Sequence, residues 1–197
     1  MLFRSSLETR TVESRFGIEF QNSGILSFGR LATFERLKDR FEIRRGQFIR
    51  RGDHQFEEYT ASYTSDRSRR LSGNFRMGRG SFYDGHRNVW VGGFRFQASY
   101  RMRADLSWTF NDLNLPSGAF TTNLVTARVN YAFSPKMFLN SLIQYNSAQR
   151  EVSSNIRFDF TYKPLSDIFI VYNERRSSTG DLRERAFIVK LTYILPF

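Results

Sequence analysis

Along most of this chain apolar side chains return at every second position, and that period constrains the fold more than any other feature, because successive side chains of a β-strand point to opposite faces. In 10–21, Val12, Phe16, Ile18 and Phe20 share one face, opposite Thr11, Glu13, Arg15, Gly17, Glu19 and Gln21. Asn22-Ser23-Gly24 is a turn signal, since Asn and Gly tolerate positive φ, and Leu26, Phe28, Ala32 and Phe34 resume the pattern with Arg30 interrupting it. The alternation continues through Tyr59, Ala61 and Tyr63; Leu71, Gly73, Phe75 and Met77; Trp90, Phe94 and Phe96; and Leu106, Trp108 and Phe110. It returns in Val125 to Phe133, in Leu139, Ile143 and Tyr145, and in Val152, Ile156, Phe158, Phe160 and Tyr162. Ile168, Ile170 and Tyr172 form a run whose other face, Phe169 and Val171, is also apolar, and Phe187 to Phe197 closes the series.

Eleven candidate strands result, with no convincing recurrence at i, i+3, i+4 and i+7, so the chain reads as all-β. Connections at 22–24, 65–69, 100–103, 134–136 and 164–167 are compact; those at 38–54, 82–87, 112–120 and 177–184 are longer, with 147–150 a short exception. Tight turns at one end and longer loops at the other predict an antiparallel up-and-down transmembrane β-barrel. The competing soluble sandwich uses strands of about 5–6 residues and aliphatic cores. These runs approach the roughly 9–11 residues that cross a bilayer, and aromatics recur near their ends, where membrane girdles sit.

Composition narrows the chemistry. There is no cysteine, and His54 and His86 are the only imidazoles, which removes thiolate metal sites, cysteine nucleophiles and disulfides. Thirty Lys and Arg against nineteen Asp and Glu give a charge of +11, suited to a polyanionic partner. No apolar run approaches the roughly 20 residues of a spanning helix. MLFRSSLETR lacks the features of a secretory signal, which leaves a cytosolic protein or a mature or partial chain. Mean hydropathy is −0.47, but alternating strands hide their apolar face from such averages.

On a lipid-facing barrel the polar face lines the interior, which makes Arg76, Arg95, Arg128, Arg157, Asp159 and Lys190 the candidate lumen residues. Arg157 and Asp159 either select a solute or offset each other's burial, and the need of buried charges for partners favours the second. Arg44, Arg45, Arg50 and Arg51, in the longest connection, are candidates for binding anionic lipid headgroups, because Arg grips phosphate bidentately; a solvated loop is the alternative. The same run lacks interleaved stacking aromatics and a groove-reading helix, so nucleic acid is not expected as a partner. Ser81, Asp84 and His86 share one expected outer loop and form the candidate hydrolytic set, although Asp84-Gly85 is itself a strong hairpin-turn dipeptide. The two histidines have no metal-ligand spacing, and no cofactor is expected.

The ending RAFIVKLTYILPF, with Tyr193, Leu195 and Phe197 on one face, resembles the C-terminal signal read by the outer-membrane barrel assembly machinery; Pro196 departs from an uninterrupted strand. NLVTARVNYAFSPKMFLNSLIQYNSAQREVSSNIRFDFTYKPLSDIFIVYNERR resembles the C-terminal barrel of an uncharacterised bacterial outer-membrane family. Members of that family carry an N-terminal carbohydrate-binding family-9-like sandwich. FEIRRGQFIRRGDHQFEEYTASYTSDRSRRLSGNF is also similar, while no sandwich domain is present, so a sugar-binding role does not transfer to residues here.

The resemblance implies a single outer-membrane domain over 1–197, the C-terminal part of a longer protein, acting in channel transport or membrane anchoring and linked to carbohydrate handling. Its partners would be outer-membrane lipid, including anionic glycolipid, the assembly machinery, and other chains that complete or plug the barrel. A rim hydrolase is the competing reading and a basic soluble nucleic-acid binder the third. Bacterial single-chain barrels have even strand numbers, so eleven strands imply at least one more that precedes this sequence or comes from another chain, and a hairpin hidden within 38–54 leaves that parity unchanged.

Overall fold

The computed structural model describes residues 7–44 and 46–194. Its elements are β1 (Thr9–Glu19), β2 (Ile25–Leu37), β3 (Phe41–Arg44), β4 (Gln47–Ile49), β5 (Gly52–Thr64), β6 (Leu71–Phe82), β7 (Gly85–Gln97), β8 (Met102–Leu115), β9 (Gly118–Ser134), β10 (Met137–Asn146), β11 (Glu151–Lys163), β12 (Ser166–Ser177) and β13 (Leu182–Leu191). Eleven strands make one up-and-down sheet in the order β1-β2-β5-β6-β7-β8-β9-β10-β11-β12-β13, and β3 and β4 pair separately. Every pairing whose register is resolved is antiparallel. Among the described residues no pairing closes the order, which begins on β1 and ends on β13.

Register turns the sequence alternation into two chemically distinct faces, because directly opposed residues on neighbouring strands share a face. Phe16, Phe28, Ala61 and Met77 form one row across β1, β2, β5 and β6, and Ile18, Leu26, Tyr63 and Phe75 form the next. Tyr131, Leu139, Phe158, Ile170 and Val189 do the same across β9 to β13, flanked by Val129, Ser141, Ile156, Tyr172 and Phe187. The opposite face carries Arg15, Gly29, Thr60 and Gly78 in one row, and Asn130, Asn140, Arg157, Val171 and Ile188 in another.

By the density of its contacts the chain forms two units. The first holds Met1–Ser65, Asn74–Val91 and Phe110–Thr121; the second holds Asp66–Gly73, Gly92–Thr109 and Thr122–Phe197. The buried apolar side chains Ile49, Val89, Leu113 and Leu115 all belong to the first. Large apolar residues stand exposed in both, such as Phe16 and Phe28 in the first and Phe133, Ile143 and Phe187 in the second.

Three connections expected to be long are short. Tyr83 and Asp84 alone join β6 to β7, Pro116 and Ser117 alone join β8 to β9, and β13 begins at Leu182 rather than beyond Glu184. Strand pairing is made by the backbone, so it continues through polar side chains that read as loop; β8 and β9 reach 14 and 17 residues this way. The length contrast between the two sets of connections is therefore lost, except for 38–51, which contains the β3–β4 hairpin.

Candidate functional site

The densest polar cluster lies in the first unit, where β5 begins. Gly52, at a φ of 140°, starts the strand, and the two-residue period then places His54, Phe56 and Glu58 together on the polar face. Register sets Glu35 of β2 opposite His54, and Gly80 of β6 opposite Glu58. A side chain at position 80 would not fit: its Cβ would fall 1.9 Å from the carbonyl oxygen of Glu57.

His54 is 7% exposed, and both ring nitrogens meet acceptors, Nδ1 at 3.2 Å from Asp84 Oδ1 and Nε2 at 2.8 Å from the Arg50 carbonyl. It thereby ties the exit of the β3–β4 hairpin to the β6–β7 turn. The ring of Tyr83 stands edge-on to His54 at 5.2 Å, and its hydroxyl donates to Glu35 at 2.7 Å. Burial, reinforced by that bond to a carboxylate, pushes the Tyr83 phenol up to about 12. Phe56 packs against Tyr83 and Phe82 at 4.9 and 5.8 Å.

Glu58, 6% exposed, accepts from Arg76 at 2.9 Å and from Arg87. Arg87 also lies 4.9 Å from the centre of the Phe82 ring, and its Nε is buried without a hydrogen-bond partner. The hairpin joins the start of β9 through Arg44, 5.0 Å above the Phe120 ring, and through the Gln47 amide beside Gly118. Ile49 at its end is 2% exposed.

This arrangement neutralises and fixes charge; it does not assemble a nucleophile with its base. Ser81, in the candidate hydrolytic set, is on the apolar face, where its hydroxyl accepts from the Glu57 amide at 2.9 Å and donates to the Glu57 carbonyl. Asp84 turns to His54, and His86 is exposed. Alternation along the strand separates Ser81 from the imidazole that Asp84 holds, so proximity in sequence does not become a triad. Among the described residues no group of three or more His, Asp or Glu is placed to hold a metal ion.

All six expected lumen residues fall on the polar face, and most are paired. Arg76 meets Glu58, Arg95 meets Asp105 at 2.6 Å, and Arg157 meets Asp159 at 2.7 Å while lying over Phe169. Asn140 also reaches Asp159, and Arg103 shares Asp105. Arg128 stands in a row with Leu142, Asn155, Asn173 and Ala186, and Lys190 opposite Phe169. The pairing favours mutual neutralisation over a field of one sign.

The basic run disperses: Arg44 lies on Phe120, Arg50 supplies its carbonyl to His54, Arg51 is exposed, and Arg45 lies outside the described residues. Tyr193 is exposed, with the Lys163 ammonium 5.8 Å from its ring, and Leu195 and Phe197 lie outside the described residues.

Sequence reasoning passed over Glu58 and the His54–Asp84 pair. Glu58 was visible only as one polar position among many, and His54 and Asp84 are far apart along the chain. Arg30, which interrupts an apolar run, did carry a signal. It is bonded through two nitrogens to Glu57, which also accepts from the Tyr59 hydroxyl at 3.0 Å. No family model, curated protein or solved structure matches the chain.

Proposed function

We propose that this sheet is part of the wall of an outer-membrane β-barrel, which passes a solute or anchors its protein in the membrane. The exposed apolar face carries the reading. Phe16 is 64% exposed, Phe187 68% and Val189 59%, and they belong to rows of aromatic and aliphatic side chains running strand to strand. In water such a surface forgoes about 25 cal/mol for every Å² left unburied, and soluble monomers rarely expose contiguous patches above a few hundred Å². Lipid removes that cost. The ion-paired opposite face suits a wetted interior, and strands of 10 to 17 residues in the main sheet are long enough to span.

In this reading the free edges of β1 and β13 are completed by further strand pairing, because an open edge in hydrocarbon leaves amides and carbonyls unsatisfied. Tyr193, Leu195 and Phe197 would address the barrel assembly machinery. The likeness of 123–197 to the sandwich-bearing outer-membrane family belongs to the same proposal. The test is refolding into detergent and vesicles, followed by heat-modifiable gel mobility, resistance to alkaline extraction, and conductance across a planar bilayer. A chain that stays in the aqueous phase overturns the proposal; insertion without conductance assigns it to anchoring.

A further inference from the structure

We propose that two clusters of arginine, glutamate and tyrosine at the border of the apolar rows bind a phosphorylated glycolipid, the guanidiniums taking its phosphates; this rests on the apolar face being the lipid-facing one. In the first unit the cluster is Arg30 of β2, Glu57 and Tyr59 of β5, and Arg79 of β6. Ser14, Arg30, Tyr59 and Arg79 make the row next to Phe16, Phe28, Ala61 and Met77, on the same face. In the second unit the cluster is Tyr172, Glu174 and Arg176 of β12 with Arg185 of β13. The row of Glu174 and Arg185 adjoins that of Tyr172 and Phe187.

The two clusters share a design. A tyrosine two residues from a glutamate donates its hydroxyl to the carboxylate, in Tyr59 to Glu57 and in Tyr172 to Glu174. Each glutamate is also held by arginine: Glu57 by Arg30, and Glu174 by Arg176 and by Arg185 at 2.8 Å. Glu174 faces two guanidiniums, whereas Glu57 holds Arg30 and Arg79 stands opposite Tyr59 in the adjoining row; each cluster still counts two arginines to one glutamate, one net positive charge. The guanidiniums keep outward access, with Arg30, Arg176 and Arg185 side chains 47%, 42% and 48% exposed.

A cation at the edge of a lipid-facing apolar zone meets the headgroups, and the planar fork of Arg matches phosphate. The carboxylate decides between lipids. A carboxylate repels any phosphate, and hydroxyls beside that phosphate offset the repulsion. A glycerol headgroup offers two on a flexible chain, whereas a phosphorylated sugar fixes its hydroxyls on a rigid ring where the carboxylate can accept from them while holding the guanidinium in place. That commits the occupant to a glycolipid whose phosphates sit on a hydroxyl-bearing sugar.

The full chain is reconstituted in phosphatidylcholine vesicles containing diphosphorylated lipid A, dephosphorylated lipid A or phosphatidylglycerol, re-extracted, and its retained lipid counted by mass spectrometry. The diphosphorylated form should be retained about tenfold over the other two, as expected for one charge-assisted contact per cluster. Arg30→Gln with Arg79→Gln should remove about half of that excess and Arg176→Gln with Arg185→Gln the rest, while Lys at the same positions should keep only part of it. Heat-modifiable mobility checks that each variant folds, and the comparison of the three lipids on the unaltered chain needs no variant. Equal retention of phosphatidylglycerol or of the dephosphorylated form, or retention indifferent to the arginines, overturns the proposal. A chain that does not enter vesicles overturns the lipid-facing reading and this one with it; entry without glycolipid preference overturns this one alone.

Discussion

Glu57 and Glu58 are neighbours in β5, and each gathers arginine, but on opposite faces of the sheet. The Glu57 side chain is 40% exposed, on the apolar face, where water screens its bond to Arg30. Glu58 is buried among β6 and β7 residues, where Arg76 and Arg87 depend on it for compensation. One residue step changes the setting from a screened surface pair to a poorly solvated network. The same contact therefore has different consequences: loss of the first returns charges to solvent, and loss of the second leaves the less exposed Arg87 without its carboxylate while Arg76 can turn to water.

The largest expected effect tests the buried side. Glu58→Ala should destabilise the folded chain by about 3 kcal/mol, chiefly because Arg87, which already has an unbonded Nε, loses its carboxylate, while Arg76, 48% exposed, can return to water. Denaturant midpoints in detergent measure this, and a loss below about 1 kcal/mol would place Glu58 in the same class as its exposed neighbour. Ile49→Ala should cost about 2–5 kcal/mol, since Ile49 is the buried end of the β3–β4 hairpin and truncating it removes buried apolar atoms.

The contrast between faces is legible in the sequence. Phe16 with Phe28, and Phe158 with Ile170, share faces because a period of two leaves a strand no other choice. Arg76, Arg95 and Arg157 could be assigned to the polar face for the same reason. What alternation does not contain is the partner of each charge. Glu58 reaches Arg87 and His54 reaches Asp84 through strand order and turn geometry, and nothing local in the sequence encodes either contact. The β3–β4 hairpin was also hidden, because its seven strand residues are too few to display a period, and the loops at 82–87 and 112–120 shrank because backbone pairing tolerates polar side chains.

The apolar side is probed by Phe158→Arg, in the middle of three apolar rows. In bilayers it should cost about 2–4 kcal/mol if that row lies near the midplane. Vesicle-based unfolding reads the difference, and a negligible cost would remove the lipid-facing assignment from the second unit. The polar side has a milder handle in Tyr83. Its phenol is raised to about 12, so the fold holds the neutral form. The stabilisation is complete below the unfolded value of about 10 and is lost as pH rises through the folded one. Stability followed from about pH 9 to 12 should fall in the native chain and fall less in Tyr83→Phe, which has no proton to lose.

The smallest expected effect belongs to Glu57. Glu57→Gln removes the charge facing Arg30 but leaves an oxygen to accept from it and from the Tyr59 hydroxyl. Both side chains keep access to water, so stability in detergent should change little, with the difference shrinking as salt is added. Yet this substitution raises the net charge of the Arg30–Arg79 cluster, which distinguishes two ways of holding an anion. If guanidinium charge alone mattered, Glu57→Gln would strengthen retention of every anionic lipid alike. If the carboxylate holds Arg30 in place and accepts from sugar hydroxyls, retention of phosphatidylglycerol should rise while the preference for the phosphorylated glycolipid falls. A destabilisation comparable to that of Glu58→Ala would mean that the exposed face is not screened, and the contrast between the two glutamates would fail.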